Sequence, residues 1–233
     1  MTAYTATFIV LLCLCFLATG LLYSHSHPSQ QKISATQDMA IDAIFIALIL
    51  IMSFVPNMGY ITVAPGVSLT LIHIPVLIGA CLRGVKKGTL YGLVFGISSW
   101  LEALIIGTGF NLFFIYPWTA IPCRVLFGFL SGLFFSFGRK FPKRYAKSLY
   151  LALVSLGLTW IHTGLVFFNL WIFYHQEIAA LFASSAPVAS GVSWTFLAVI
   201  LLGAAGESIL AFVLVPSISL ALRKALPHLW VKA

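Results

Sequence analysis

Three ionisable residues stand deep inside apolar sequence: Arg124, Glu207 and Glu102. Arg124 lies about 11 residues, roughly 16 Å of helical rise, into an apolar stretch that begins near residue 112. Glu207 reaches a similar depth within Gly203-Ala204-Ala205-Gly206-Glu207-Ser208, and Glu102 sits in the outer part of the stretch 88–108. Ionisable groups are costly in hydrocarbon, so each needs a partner or a task. Two readings follow for Arg124. Either Glu207 or Glu102 neutralises it in a structural ion pair, or it offers a positive centre to a solute carboxylate, directly or through that pair. His162 and Asn169 are seven residues apart, hence on one helical face, with Phe173 nearly in line beyond them. Such a stripe lines a cavity or hydrogen-bonds to a neighbouring helix. His73, near a helix end in Leu71-Ile72-His73-Ile74-Pro75, admits the same two readings, and Asp42 reads as interfacial.

Aromatic side chains collect around these groups. Tyr60, Tyr116, Trp118, Trp171, Tyr174 and Trp194 all map to the ends of apolar stretches on one side. An interfacial aromatic belt explains them, and so does the mouth of a site for a small organic molecule, which pairs apolar walls with a few polar anchors. Asn57, Asn111, His175 and Glu177 would supply such anchors, with segments 56–66 and 175–192 as lids. The chain contains no phosphate loop of the form G-x-x-x-x-G-K-[ST], no H-E-x-x-H and no G-x-S-x-G. No catalytic residue, cofactor or metal site is therefore assigned. Cys13, Cys15, Cys81 and Cys123 lie in apolar segments without ligand spacing and read as small buried hydrophobes.

The elements that position these residues follow from composition. Of 233 residues, 61% are hydrophobic and 8% charged, against roughly 25% charged in a soluble domain. Apolar stretches at about 5–23, 39–55, 67–82, 88–108, 112–137, 148–174 and 193–222 approach the about 20 residues that cross a bilayer as a helix. The expected fold is an all-α membrane protein, a six-helix bundle preceded by one extra N-terminal helix. Residues 1–36 hold that helix and a polar linker, and residues 37–233 form the six-helix domain.

Thirteen Lys and Arg residues set the orientation. A single threading puts all but Arg124 on one side, in clusters at Arg83/Lys86/Lys87, Arg139/Lys140/Lys143/Arg144/Lys147 and Arg223/Lys224/Lys232, with Lys32 upstream. Loops that keep Lys and Arg face the cytoplasm, so both ends of the six-helix body are cytoplasmic and the chain is a multi-pass protein of the inner, or cytoplasmic, membrane. The net charge of +8 is this topological bias, which argues against nucleic acid as a partner. Thr5 to Tyr23 lacks the basic start of a secretory signal, and cleavage after it would invert every cluster. It is therefore expected to be a retained helix with an external N-terminus.

Small residues recur every fourth position at Ala43/Ala47, Gly88/Gly92/Gly96 and Gly128/Gly132. In lipid, where helices associate by close packing, such ladders let two backbones approach. Pro117 and Pro122 each remove a backbone donor and leave free carbonyls in the outer half of their helix.

Four segments together carry a family likeness. They are Phe54-Val55-Pro56-Asn57-Met58-Gly59-Tyr60 with Leu69-Thr70-Leu71-Ile72-His73-Ile74-Pro75-Val76-Leu77-Ile78-Gly79-Ala80; Arg83-Gly84-Val85-Lys86-Lys87-Gly88 through Gly92 to Gly96; Ile121-Pro122-Cys123-Arg124-Val125-Leu126-Phe127-Gly128; and Ala43-x-x-x-Ala47. In order and spacing, residues 37–225 resemble the S components of energy-coupling factor (ECF) vitamin transporters, the third segment departing from the family's Leu-Pro-Arg-Ile-Leu-x-Gly run by its Ile and Cys. The helix at 5–23 departs from the usual six.

The resemblance implies a vitamin-binding membrane subunit without enzymatic activity. Such a subunit captures solute from outside, docks through Ala43 and Ala47 on an ECF coupling membrane subunit that carries two ATPase subunits, and reorients in the bilayer. Its implied substrate-binding residues are Asn57, Tyr60, Trp118, Arg124, His162, Asn169 and Glu207. The likeness is nearest to the pantothenate-type subgroup, and Arg124 suits an anionic solute. Folate, riboflavin, cobalamin, or a pyridoxine or pyrimidine precursor remain open as solutes. A stand-alone secondary transporter, a membrane enzyme and a structural partner subunit are the competing classes.

Overall fold

The structure, a computed structural model, describes residues 34–55, 58–64, 67–106, 109–138, 143–184 and 194–225. The expected helix at 5–23, residues 24–33 of the linker and Asn57 lie outside the described residues. Within them the order is α1 (Ala35–Phe54), β1 (Tyr60–Ala64), β2 (Val67–Thr70), α2 (His73–Arg83), α3 (Val85–Ile106), a 3-10 turn (Gly109–Phe114), α4 (Pro117–Phe137), α5 (Arg144–Ser184) and α6 (Trp194–Ala225). Five of these helices are long and apolar enough to cross a membrane, and α2 is a shorter apolar helix. A multi-pass helical membrane architecture follows.

Helix α1 starts earlier than its apolar stretch suggests. The Ser34 hydroxyl accepts the Gln37 N–H at 3.2 Å while the Gln37 side chain accepts the Ser34 N–H at 3.3 Å. This reciprocal capping box satisfies donors that would otherwise be orphaned, and it starts the helix at Ala35, ahead of the apolar stretch expected from about residue 39, so that Gln37 and Asp38 lie within its first turn.

The stretch 67–82 departs most from expectation. Its first four residues form β2, antiparallel to β1 with Tyr60 opposite Thr70 and an irregularity between Thr62 and Ala64. Short β-branched runs hold an extended chain well, which an apolar count over the whole stretch hides. The remainder forms α2, whose 11 residues rise only about 16 Å. Pro75 is tolerated because the first turn has no intrahelical partner for its missing N–H, and Gly84, with φ of 82°, lets the chain leave at the other end. At the other long apolar stretch, α5 runs through the expected lid segment to Ser184, with its helical dihedrals broken at Tyr174 (φ −136°, ψ 32°).

The two glycine ladders meet. A Cβ added to Gly92 would lie 3.0 Å from the Gly128 Cα, and one added to Gly88 would lie 2.7 Å from the Gly128 carbonyl oxygen. Helices α3 and α4 therefore pack backbone to backbone, with Gly132 against Val85 and Gly96 against Ile121 completing the seam. This bears out the packing reading of both ladders. Around the seam, Tyr91, Phe95 and Phe127 are fully buried together with Ile49, Leu77, Leu151, Leu158 and Val215. A smaller cluster of Ala103, Phe114, Ala120 and Leu170 closes the hairpin end. In a lipid surround this interior is held by close contact rather than by escape from water.

Candidate functional site

Pro122 shapes one wall of the site. Lacking an N–H, it leaves the Trp118 carbonyl one turn earlier without its helical partner, and the Asn169 amide of α5 donates to that oxygen at 3.5 Å. Asn169 is 1% exposed, and its own Oδ1 has no hydrogen-bond partner. Thr119 secures the start of α4 by donating to the Phe113 and Tyr116 carbonyls at 2.7 and 2.8 Å. Trp118 itself is half-exposed, its ring stacked on Tyr116 at 4.7 Å.

Arg124 projects from α4 two residues beyond this break and is buried. Its Nη1 folds back to donate to the Ala120 carbonyl at 2.7 Å, and its guanidinium carbon lies 5.1 Å from the Phe95 ring centre and 4.8 Å from that of Phe114. Aromatic faces attract the cation at such distances. The ion pair with Glu207 or Glu102 is not formed. Among the described residues every carboxylate within 4 Å of a Lys or Arg belongs to Asp38 or Asp42, and the Arg124 Nε has no partner. Glu102 is near enough to interact electrostatically with Arg124, but its close neighbour is the Tyr60 phenol, which Ser99 also approaches. Burial, reinforced by the Glu102 carboxylate, holds that phenol well above its ordinary pKa, so Tyr60 remains a donor.

Glu207 is engaged elsewhere: its Oε1 accepts the backbone N–H of Thr70, so α6 grips the end of β2. His162, on α5, is buried among Phe127, Phe95 and His73, with ring centres 4.7, 5.7 and 6.3 Å away, and its Nε2 has no partner. Of the residues expected from sequence, Arg124 and His162 share Phe95 as a neighbour, Asn169 flanks the same helix α4, Tyr60 sits over Glu102, Trp118 stands at the rim, and Glu207 belongs to the hairpin's anchorage. His73 joins the set from α2. Local sequence admits both a ligand and a structural role for His73, because the approach of its ring to His162 on α5 is not encoded in local spacing.

Arg124, His162 and His73 thus hold polar atoms without a partner beside Phe95, Phe114 and Phe127, and Asn169 holds another where α5 flanks α4. Native interiors rarely leave such atoms unsatisfied. A cation and neutral polar groups among aromatic walls have the chemistry to take up a molecule that is partly charged and partly apolar.

Residues 37–219 match the family described as ECF transporter, substrate-specific component. The chain belongs to this family.

Two transporters are similar to part of this S component. The pantothenic acid transporter PanT of Lactococcus lactis subsp. cremoris is 39% identical over 87 residues, covering 36% of this chain and 42% of that protein. The pantothenate transporter PanT of Leuconostoc mesenteroides subsp. mesenteroides is 32% identical over 105 residues, covering 43% and 52% respectively. The S component thus spans about half the length of the curated relatives it matches.

The opposite end of the S component carries the charge. Arg83 and Lys87 bond both Asp38 and Asp42, with Lys87 2.8 Å from Asp38 and Arg83 3.6 Å from Asp42, and the Tyr91 hydroxyl donates to Asp42 at 2.7 Å. Asp42 is therefore the buried hub of a network joining α1, α2 and α3 rather than an interfacial residue. On the opposite face of α1, Ala43 and Ala47 are exposed beside Met39, Ile44, Leu48 and Ile51.

Proposed function

We propose that this S component binds pantothenate from outside the cell and delivers it with an ATP-driven ECF module. The observation that carries the reading is Arg124: a buried guanidinium without a carboxylate partner, walled by Phe95 and Phe114, with Asn169 and His162 nearby. Pantothenate has one carboxylate, an amide, two hydroxyls and a branched apolar core, and the site offers a counterpart to each. The two partial relatives, both pantothenate transporters by name, point to the same solute.

In this reading Arg124 holds the carboxylate in a charge-assisted bond, and Asn169, His162, Tyr60 and Trp118 bound the remainder, with Asn57 joining from the preceding turn. Glu207 acts through the hairpin it anchors. The basic end faces the cytoplasm, as does each end of the six-helix domain of residues 37–233, and residues 1–36 add the extra helix and linker. Ala43 and Ala47 form the flat strip on α1 that meets the coupling membrane subunit, which carries two ATPase subunits.

Equilibrium binding of labelled pantothenate to the full chain in lipid nanodiscs tests the reading. Saturable binding is expected, weakened about tenfold or more by Arg124→Gln, since a hydrogen bond to a charged group contributes about 1.5–3 kcal/mol. No saturable binding, with a different vitamin found by mass spectrometry on the purified protein, refutes it.

A further inference from the structure

We infer that His73 is a specificity-determining residue which, side by side with His162, reads the hydroxyl groups of the solute at the pole away from Arg124. The inference rests on the pantothenate reading above and adds to it a residue and a chemical task.

His73 is completely buried at the first position of α2, yet neither Nδ1 nor Nε2 has a hydrogen-bond partner. The Thr70 backbone lies close to the ring, yet neither ring nitrogen meets hydrogen-bond geometry with it. A histidine kept for structure alone would spend its ring nitrogens on such a group. Its ring instead stacks on that of His162, centres 6.3 Å apart and planes at 24°, and meets Phe127 edge-on at 6.5 Å. His162 also leaves its Nε2 unpaired. Two imidazoles on different helices, α2 and α5, therefore present three unpartnered nitrogens to one aromatic enclosure formed by Phe95 and Phe127.

The chemistry of the two poles differs. Arg124 is a donor-only cation and suits a carboxylate. No carboxylate stands within ion-pair distance of either histidine among the described residues, so nothing holds a second cation there. A neutral imidazole carries one donor and one acceptor, which is the complement of a hydroxyl. Phe95 touches both Arg124 and His162, and so sets an apolar spacer between the charged pole and the hydroxyl pole. An acid that lacks hydroxyls would fill the same space but leave the imidazole nitrogens buried and unpaired, and sites of that kind reject it strongly.

The test compares pantothenate with its dideoxy analogue, β-alanine acylated with the same branched skeleton but without the two hydroxyls, on the full chain in nanodiscs. Wild type should prefer pantothenate by about tenfold or more. His73→Phe should weaken pantothenate binding while leaving the analogue unchanged or tighter, and His73→Gln, which keeps a donor and an acceptor, should restore part of the preference. Arg124→Gln should weaken both ligands by the same factor, because both carry the carboxylate. Equal affinity of wild type for the two ligands overturns the inference whether or not any variant folds, and so does an equal loss for both ligands in His73→Phe. If wild type binds neither ligand, the pantothenate reading itself falls and this inference with it.

Discussion

The carboxylate of Glu207 accepts the backbone N–H of Thr70, tying the middle of α6 to the last residue of the hairpin. An ionisable side chain well inside a membrane helix is thereby used on a main-chain donor, and the hairpin that leads into His73 is fixed by a helix remote from it in sequence.

Removing that acceptor should loosen the hairpin selectively. Glu207→Ala is expected to speed amide hydrogen exchange in residues 60–64 and 67–70 about tenfold, given the about 1.5–3 kcal/mol of a hydrogen bond to a charged group. Exchange in α3 and α4 should not change. Exchange in the hairpin that matches wild type would show that Glu207 does not hold it.

The glycine seam should be intolerant where the backbones touch and permissive elsewhere. Gly92→Ala places a methyl 2.5 Å from the Arg124 carbonyl oxygen and 3.0 Å from the Gly128 Cα, so it should cost about 1–3 kcal/mol of stability. Gly157→Ala, whose added methyl meets nothing within 4 Å, should be neutral or stabilising by up to about 1 kcal/mol. Thermal unfolding in detergent separates the two.

At the basic end the two acids are unequal. The Asp42 side chain is 12% exposed and serves Lys87, Arg83 and Tyr91, whereas that of Asp38 is 39% exposed. Asp42→Ala removes the buried acceptor of the Tyr91 hydroxyl and one of the two acids that face Lys87 and Arg83, and should lower stability by about 3 kcal/mol. Asp38→Ala removes a largely solvated partner and should cost about 1 kcal/mol or less. Equal losses in chemical unfolding would deny Asp42 its place as hub.

Helix α1 gives a separable prediction. Ala43→Trp adds bulk to an exposed strip on the face away from Asp42, so solute binding should persist while association with the coupling membrane subunit is lost in co-purification. Retention of that subunit by the variant would move the docking surface elsewhere.

Much of this architecture is legible in the chain because lipid imposes simple rules. Apolar stretches set where α1, α3, α4, α5 and α6 run, and the Gly88/Gly92 and Gly128/Gly132 ladders announce a close helix pair. What escaped depends on contacts between distant segments. Val67–Thr70 is too short for its strand period to stand out from the apolar residues that follow, and the hairpin is completed by β1 across a turn. Asp42 finds Tyr91 and Lys87 through the packing of α1 on α3, which no spacing within α1 reveals. The expected partnership of Arg124 with an acid failed because depth along a helix says nothing about azimuth: Glu207 turns toward Thr70, and Glu102 keeps company with Tyr60.

The backbone-on-backbone contact of Gly88 and Gly92 with Gly128 leaves no side chain between α3 and α4 that could change rotamer. That pair can yield only by parting, so it behaves as a stiff plank carrying Phe95 and Arg124 side by side. Any movement that admits or releases a solute must be borne by the remaining boundaries: the gripped hairpin on one flank, and on the other the interruption of α5 at Tyr174.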